Sequence, residues 1–436
     1  MEFGCGLSGD DKINGWWLLC SPFLDKLRRR VVGFAKEAKK MAREDPRRIA
    51  HSFKVGLALT LVSIFYYVKP LFHGCGLSTM WAVLTVVVVM EYTVGATLSK
   101  GLNRAFATLV AGALGVAAHQ IAVLCGDKGE PVLLAFFVFI LAAAASFSRF
   151  IPEIKARYDY GVTIFILTFS LVAVSSYRVE ELIQLAHQRL ATIAIGVAIC
   201  LCTSIFLFPV WAGQDLHNLV AENLEKLASF FDGFAAEYFA DHQRGETSAN
   251  WEGKPFLQVY KSVLNSKSKE ESLANFARWE PSHGRFLFRH PWEHYLKIGA
   301  LSRRCASSMD ALSTCIAAPP SKSKPCADPD LQLKIRTACK EISSESAKAL
   351  KEISSAIRSM TFPCSANGHL SAAMAKLTKE MQAADDSDLS GILHVATTAS
   401  LLAELVNRTH EVVDSVDNLA RLARFKRPEP IRVGKV

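Results

Sequence analysis

Residues 81–104 read WAVLTVVVVMEYTVGATLSKGLNR. The first ten of them are apolar except for Thr85, and apolar character resumes after Glu91. A half-buried strand would alternate polar and apolar residues. A helix that is apolar on every side lies deep in a protein core or crosses a bilayer. Outward from this stretch the same pattern recurs. Apolar runs at 52–68, 77–97, 103–124, 131–147, 158–175 and 190–211 are each about long enough to span hydrocarbon, and short polar links join them. The pattern predicts an all-α membrane protein of six transmembrane helices, followed by a cytosolic helical bundle.

Three regions follow from this. Residues 1–48 form a cytosolic N-terminal arm, 49–211 a six-helix transmembrane domain, and 212–436 a cytosolic helical domain. In the arm, Phe23, Leu27, Val31, Phe34, Ala38 and Met41 recur at helical spacing, with Arg28, Arg29, Arg30, Lys36, Lys39 and Lys40 on the polar face. Such an amphipathic helix can lie on an anionic inner leaflet or pack on the cytosolic domain. In the last region, Leu216, Leu224, Leu227, Phe230 and Phe234 begin an amphipathic helix. Further helices are expected over about 292–315, 330–359, 371–383 and 389–424.

Charge sets the orientation. Arg43, Arg47, Arg48 and Lys54 flank the start of the first run, Lys100 and Arg104 separate the second from the third, and Arg149, Lys155 and Arg157 separate the fourth from the fifth. The alternate links hold Lys69 and His73, then Asp127, Lys128 and Glu130, then Arg178, Glu180, Glu181 and Arg189. Lys and Arg are in excess on the side of the N-terminus, which places both termini in the cytosol. The net charge of +9 is explained by this bias, so no nucleic acid is expected as a partner. The eleven cysteines are scattered without a C-x-x-C pair. Cys200 and Cys202 are two apart on a helix and face different directions, which suits no shared metal. Cys75 and Cys125 fall near external links, where pairing stays open.

No P-loop, G-x-S-x-G or H-E-x-x-H motif is present, so the expectation is neither an enzyme nor an ATP-driven pump, with no cofactor. The chemistry lies in cations beside lipid. A dehydrated dicarboxylate needs fixed positive charge along its path, and the planar fork of arginine suits carboxylates. Arg189 precedes an apolar run directly and is assigned to an anion pathway. Lys54 and Arg178 fit either that pathway or snorkelling to headgroups, and Lys100 and Lys155 read as anchors. Glu91, inside an apolar run, reads as a gating or structural carboxylate, with Arg104 as a candidate partner.

Several stretches together match a known family. They are 44–48 (EDPRR), 54–67, 81–104, 149–177, 186–190 and 209–217 (PVWAGQDLH), with W-E-P at 279–281. The chain resembles the aluminium-activated malate transporter family of plant anion channels over about residues 44–300. The resemblance implies a homodimer passing malate and other anions, with voltage-dependent gating in many members. It points to Lys54, Arg178 and Arg189 as pore lining, and to Glu280 of the W-E-P motif as a brace within the cytosolic half. Where aluminium activates, external carboxylates would receive it, and Glu180 and Glu181 are the best-placed acids. Residues 206–217 overlap a region proposed in the family for inhibition by 4-aminobutyrate. The short arm and the 211–217 junction favour the plasma membrane over the vacuolar membrane. Two other readings remain: an ion-coupled exporter of organic or aromatic acids, and a membrane-tethered scaffold.

Overall fold

The computed structural model describes residues 9–67, 79–126, 128–176, 182–244, 255–287, 289–317, 329–363, 365–385 and 393–427. These residues are helical throughout, and their strand-like pairing is limited to the isolated bridges His283–Phe286 and Thr361–Lys426. The first half comprises α1 (Gly9–Glu44), α2 (Arg47–Tyr67), α3 (Thr79–Val89), α4 (Val94–Val123), α5 (Glu130–Ser148), α6 (Pro152–Arg157), α7 (Asp159–Ser176) and α8 (Leu182–Phe206). Among the described residues, four helical stretches are long and apolar enough to cross a membrane: Val94–Val123, Glu130–Ser148, Pro152–Ser175 and His187–Phe206. Met80–Val89 is a shorter apolar helix beside them.

Close approach of these helices depends on small residues, because lipid tails give apolar helices little reason to associate and backbone proximity must supply the contact. A Cβ on Gly115 of α4 would sit 2.6 Å from Val172 of α7. One on Gly196 of α8 would sit 2.9 Å from Thr85 of α3. Two small cores result. Ala58, Val62, Ala82, Val86 and Cys200 join α2, α3 and α8, whereas Ala111, Ala118, Leu134, Phe169 and Ala173 join α4, α5 and α7. Cys200 is buried and Cys202 exposed, as their spacing on one helix requires.

The run at 77–97 is not one helix. It breaks after Val89, and α4 begins at Val94. Thr93 takes extended backbone angles and its side chain accepts from the Ala96 N–H at 3.2 Å, so it caps α4. The Glu91 N–H donates to the Thr97 hydroxyl at 3.1 Å, which ties the link down. Glu91 therefore lies in the link between two helices rather than inside a span. Lys100 and Arg104 lie on α4 itself rather than in a link.

The second half comprises α9 (Ala212–Arg244), α10 (Phe256–Val259), α11 (Lys261–Leu264), α12 (Lys267–Ala277), α13 (Trp292–Ala317), α14 (Pro329–Ser359), α15 (Ala366–Asp385) and α16 (Leu393–Leu422). A single core joins them. Leu224, Leu227, Phe230, Phe231 and Phe234 of α9 are fully buried with Ile298 and Met309 of α13, Ile342 and Ile353 of α14, and Leu405 and Val416 of α16. Each such side chain contributes roughly 1.5–3 kcal/mol. The helices of 256–277 have no counterpart in the sequence reading, because they are short and interrupted and carry no long periodic stripe. Glu270 of α12 is fully buried, and Arg303, Asn223 and Ser266 satisfy it.

Candidate anion pathway and its junction with the helical bundle

Helices α2, α4 and α9 begin at a common junction, and α8 ends there. Arg47 in the first turn of α2 pairs with Asp215 in the first turn of α9 at 2.8 Å. The Val94 N–H of α4 donates to the Val210 carbonyl at 2.9 Å. Tyr92 in the link donates its hydroxyl to Asp45, before α2, at 2.9 Å.

Away from this junction the apolar half buries cations. Lys54 of α2 is 1 % exposed and Arg104 of α4 is 2 % exposed. Arg189 of α8 is half-buried. At 1.5 Å per residue they stand at roughly 10, 15 and 25 Å from the junction ends of their helices. Arg104 donates to the Tyr160 hydroxyl at 3.2 Å, and its Nε is buried without a partner. The Arg189 guanidinium lies over the Trp81 ring, 4.9 Å from its centroid, and its Nε is likewise buried without a partner. Among the described residues, none of the three cations has a carboxylate partner. Burying a charge costs several kcal/mol unless something pairs with it. Cations at three different heights with no acid beside them among the described residues are candidate contacts for an anion.

Glu91 and Lys100 form a contrasting set. They pair directly, with the two side chains 36 % and 30 % exposed, and Lys100 also lies 5.6 Å from the Tyr160 ring. The partner is Lys100, and the expected Arg104 turns to Tyr160 instead. Nine residues apart on an unbroken helix, Glu91 and Lys100 would face opposite sides, so only the break at the link lets them meet. A partly exposed pair is worth about 1 kcal/mol or less. Glu91→Gln should therefore lower thermal stability by only a few degrees, and the Glu91→Lys, Lys100→Glu double reversal should restore it, as read by fluorescence-detected unfolding.

The junction itself is built on Glu280. Its carboxylate accepts from the N–H groups of Ala212 (2.6 Å) and Gly213 (3.0 Å), the first turn of α9. The Gly95 N–H, in the first turn of α4, is a third donor. One buried carboxylate thus occupies the positive ends of two helices, one from each half of the chain. Burial pushes this carboxyl up to about 7, against the opposing pull of the three N–H donors. His283 stacks on Trp211 at 3.8 Å, and its Nδ1 donates to the Pro281 carbonyl. Its bare Nε2 then points at Glu280, 3.9 Å away. His217 and His290 share the Tyr295 hydroxyl, and burial lowers both to about 4, so they are neutral at neutral pH. Gly95 has no room for a side chain: a Cβ there would lie 2.4 Å from the Phe276 carbonyl oxygen and 2.9 Å from Glu280 Cγ. Gly95→Ala must push the halves apart, and it should cost about 1–3 kcal/mol, read as a lower melting temperature and reduced surface level.

A family model for the aluminium activated malate transporters matches residues 39–390. The chain belongs to that family. Aluminum-activated malate transporter 1 of Triticum aestivum is 57% identical over 417 residues, covering 94% of this chain and 90% of the relative. Aluminum-activated malate transporter 2 of Arabidopsis thaliana is 48% identical over 402 residues, covering 91% and 79%. Aluminum-activated malate transporter 12 of the same plant is 39% identical over 400 residues, covering 90% and 68%. As a member of this family with apolar helices of spanning length, the chain is an integral membrane protein.

In this family member the residues singled out by sequence do not form one cluster. Lys54 and Arg189 stand at different heights of the apolar half, and Glu91 and Glu280 lie at the junction. Arg178, Glu180 and Glu181 lie outside the described residues. The sequence reading missed Trp81 as the platform under Arg189, Arg104 as a buried cation, and Gly95, Gly213 and His283 around Glu280. Trp81 and Arg189 are far apart in sequence, and no local periodicity relates them. Gly95 carried a weak signal, a glycine two residues after Thr93 within an apolar run.

Proposed function

We propose that the chain is an anion channel that passes malate and other anions down their electrochemical gradient. The observation that carries this reading is the set of staggered cations, buried Lys54 and Arg104 and half-buried Arg189, without carboxylate partners among the described residues. An anion leaving water loses hydration, and successive fixed charges replace it without one deep well that would hold the ion. Arg189 acts first from the far end. Its guanidinium face rests on Trp81, and the edge donors remain for a carboxylate. Arg104 and Lys54 take over nearer the junction, with Arg178 as a further candidate near the far end.

The protomer of this reading has six spans with both termini in the cytosol. Two copies assemble as a homodimer in lipid, in the plasma membrane rather than the vacuolar one. Aluminium acts from outside, at acids such as Glu180 and Glu181. The relatives' names carry malate and aluminium, and the chain shares about half of its residues with two of them. Glu280 holds the cytosolic bundle to α4, so a shift of the bundle reaches the pathway. Two-electrode recording in oocytes tests the proposal, with malate, chloride and nitrate, and with and without aluminium. Anion current that persists without a proton gradient is expected. Surface-delivered protein that carries no current under any of these conditions would sink it, and current that collapses with the proton gradient would favour a coupled exporter.

A further inference from the structure

Helix α1 projects an unpartnered amphipathic face. Within it Leu27, Val31, Phe34, Ala38 and Met41 recur at alternating steps of four and three, one stripe along the helix. Leu27, Val31, Phe34 and Met41 are 48, 58, 71 and 47 % exposed. Around the stripe, residues 26–43 carry eight Lys and Arg against a single acid, Glu37. A helix with so much apolar surface in water, and so few contacts with the rest of the chain, needs another surface to be stable. We propose that α1 lies on the anionic face of the membrane, its stripe at the acyl boundary and its cations among the headgroups. The proposal rests on the cytosolic placement of the N-terminus.

Three observations select lipid over the alternatives. First, the elbow after α1 is fixed where the apolar helices begin. Asp45 accepts from Tyr92 and from the Arg47 N–H, and Arg47 pairs with Asp215. The C-terminal end of α1 is therefore held where the apolar helices begin rather than at the end of a long tether. Second, the stripe has heptad spacing, so a second copy of α1 is the natural rival, but its charges oppose it. Arg28 and Arg30 flank the stripe, and with eight cations against Glu37 and Glu44 over residues 26–44, two paired copies would bring together a large excess of like charge. Third, the helical bundle leaves α1 alone: every described side chain from Lys26 to Glu37 is exposed. An anionic leaflet supplies both an apolar layer and the opposite charge.

The test uses the full chain in nanodiscs of phosphatidylcholine alone or with about one-third phosphatidylserine. Both leaflets carry the same lipid, so the readout does not depend on orientation. A membrane-impermeant label on an N-terminal tag in intact cells checks that placement separately. Hydrogen exchange of the peptides covering 26–44 should slow about tenfold in the anionic discs relative to the neutral ones. The Arg28→Gln, Arg29→Gln, Arg30→Gln triple variant should lose most of that difference while exchange in α4 and α9 stays unchanged. A photoreactive benzoylphenylalanine at position 34 should crosslink to lipid. Equal exchange in both lipids, whether fast or slow, would overturn the proposal, as would a crosslink from position 34 to a second chain or to the bundle.

Discussion

Arg189→Glu is expected to reduce malate current to about a hundredth of the parent's, with surface level and assembly unchanged. The size follows from charge. At an effective dielectric constant near 20, two unit charges 5 Å apart interact by about 3 kcal/mol. Turning that attraction into repulsion raises the barrier for an anion by at least this amount, and about 3 kcal/mol is roughly a hundredfold in rate. The substitution should leave the fold intact, because Arg189 gives up a contact with Trp81 and no ion pair among the described residues. Arg189→Lys keeps the charge and loses the flat stacking on the indole, so an intermediate current is expected. Lys100→Glu makes a useful contrast, since Lys100 is already neutralised by Glu91 and its reversal should change current far less. If Arg189→Glu retained more than half the current at normal surface density, Arg189 would lie outside the path.

Glu280→Ala is expected to be the most destabilising single change. It leaves the N–H groups of Ala212, Gly213 and Gly95 without their acceptor in a buried corner. Each stranded buried donor costs about 1–3 kcal/mol, against a total stability of roughly 5–15 kcal/mol. A melting temperature lower by about 10 °C in detergent, with sharply reduced surface expression, is the expected result. Glu280→Gln keeps one acceptor and sets an NH₂ against another donor, so it should fall between the two. A variant melting within about 2 °C of the parent would mean that other groups satisfy these helix ends.

The same residue gives stability a pH dependence. The folded carboxyl titrates at about 7, above its ordinary value of 4.5. Between those values the folded carboxyl holds a proton that the unfolded one has released, so the contribution of Glu280 to stability falls as pH rises from about 4.5 to about 7 and is level above that. Asp215 adds to the upward push on Glu280, whereas His217, His283 and His290, all lowered by burial, contribute the opposite slope, with stability rising as pH climbs toward 6.5. The melting temperature of the parent minus that of the Glu280→Gln variant should therefore fall as pH rises across the window, while the variant keeps only the histidine slope.

Much of the helical layout was legible. The runs at 131–147 and 158–175 reappear as Glu130–Ser148 and Asp159–Ser176, because hydropathy and helix length coincide where proline or charge ends a run. The boundary at 89–94 was not legible. Valines continue to its edge, apolar residues resume beyond it, and hydropathy does not register a threonine cap. That one misplacement put Glu91 in lipid and hid its partner. For the pathway, sequence marked Arg189 by the apolar run that directly follows it, and Lys54 through the family resemblance. Burial of Arg104 and the seat of Arg189 on Trp81 depend on how distant helices cross, which no single run records. The same holds for the carboxylate of the W-E-P motif, whose acceptors and donors are far apart in the chain.

Because one carboxylate closes the first turns of both α4 and α9, the two halves of this chain are not interchangeable modules. A chimera joining the first half of one relative to the second half of another inherits its seam from three places at once: the backbone around Gly95, the start of α9 at Ala212–Gly213, and the Glu280 corner. Such exchanges should tolerate cuts within the exposed links. They should fail when the donor of the second half brings a bulkier residue against Gly95, however similar the two parents are elsewhere.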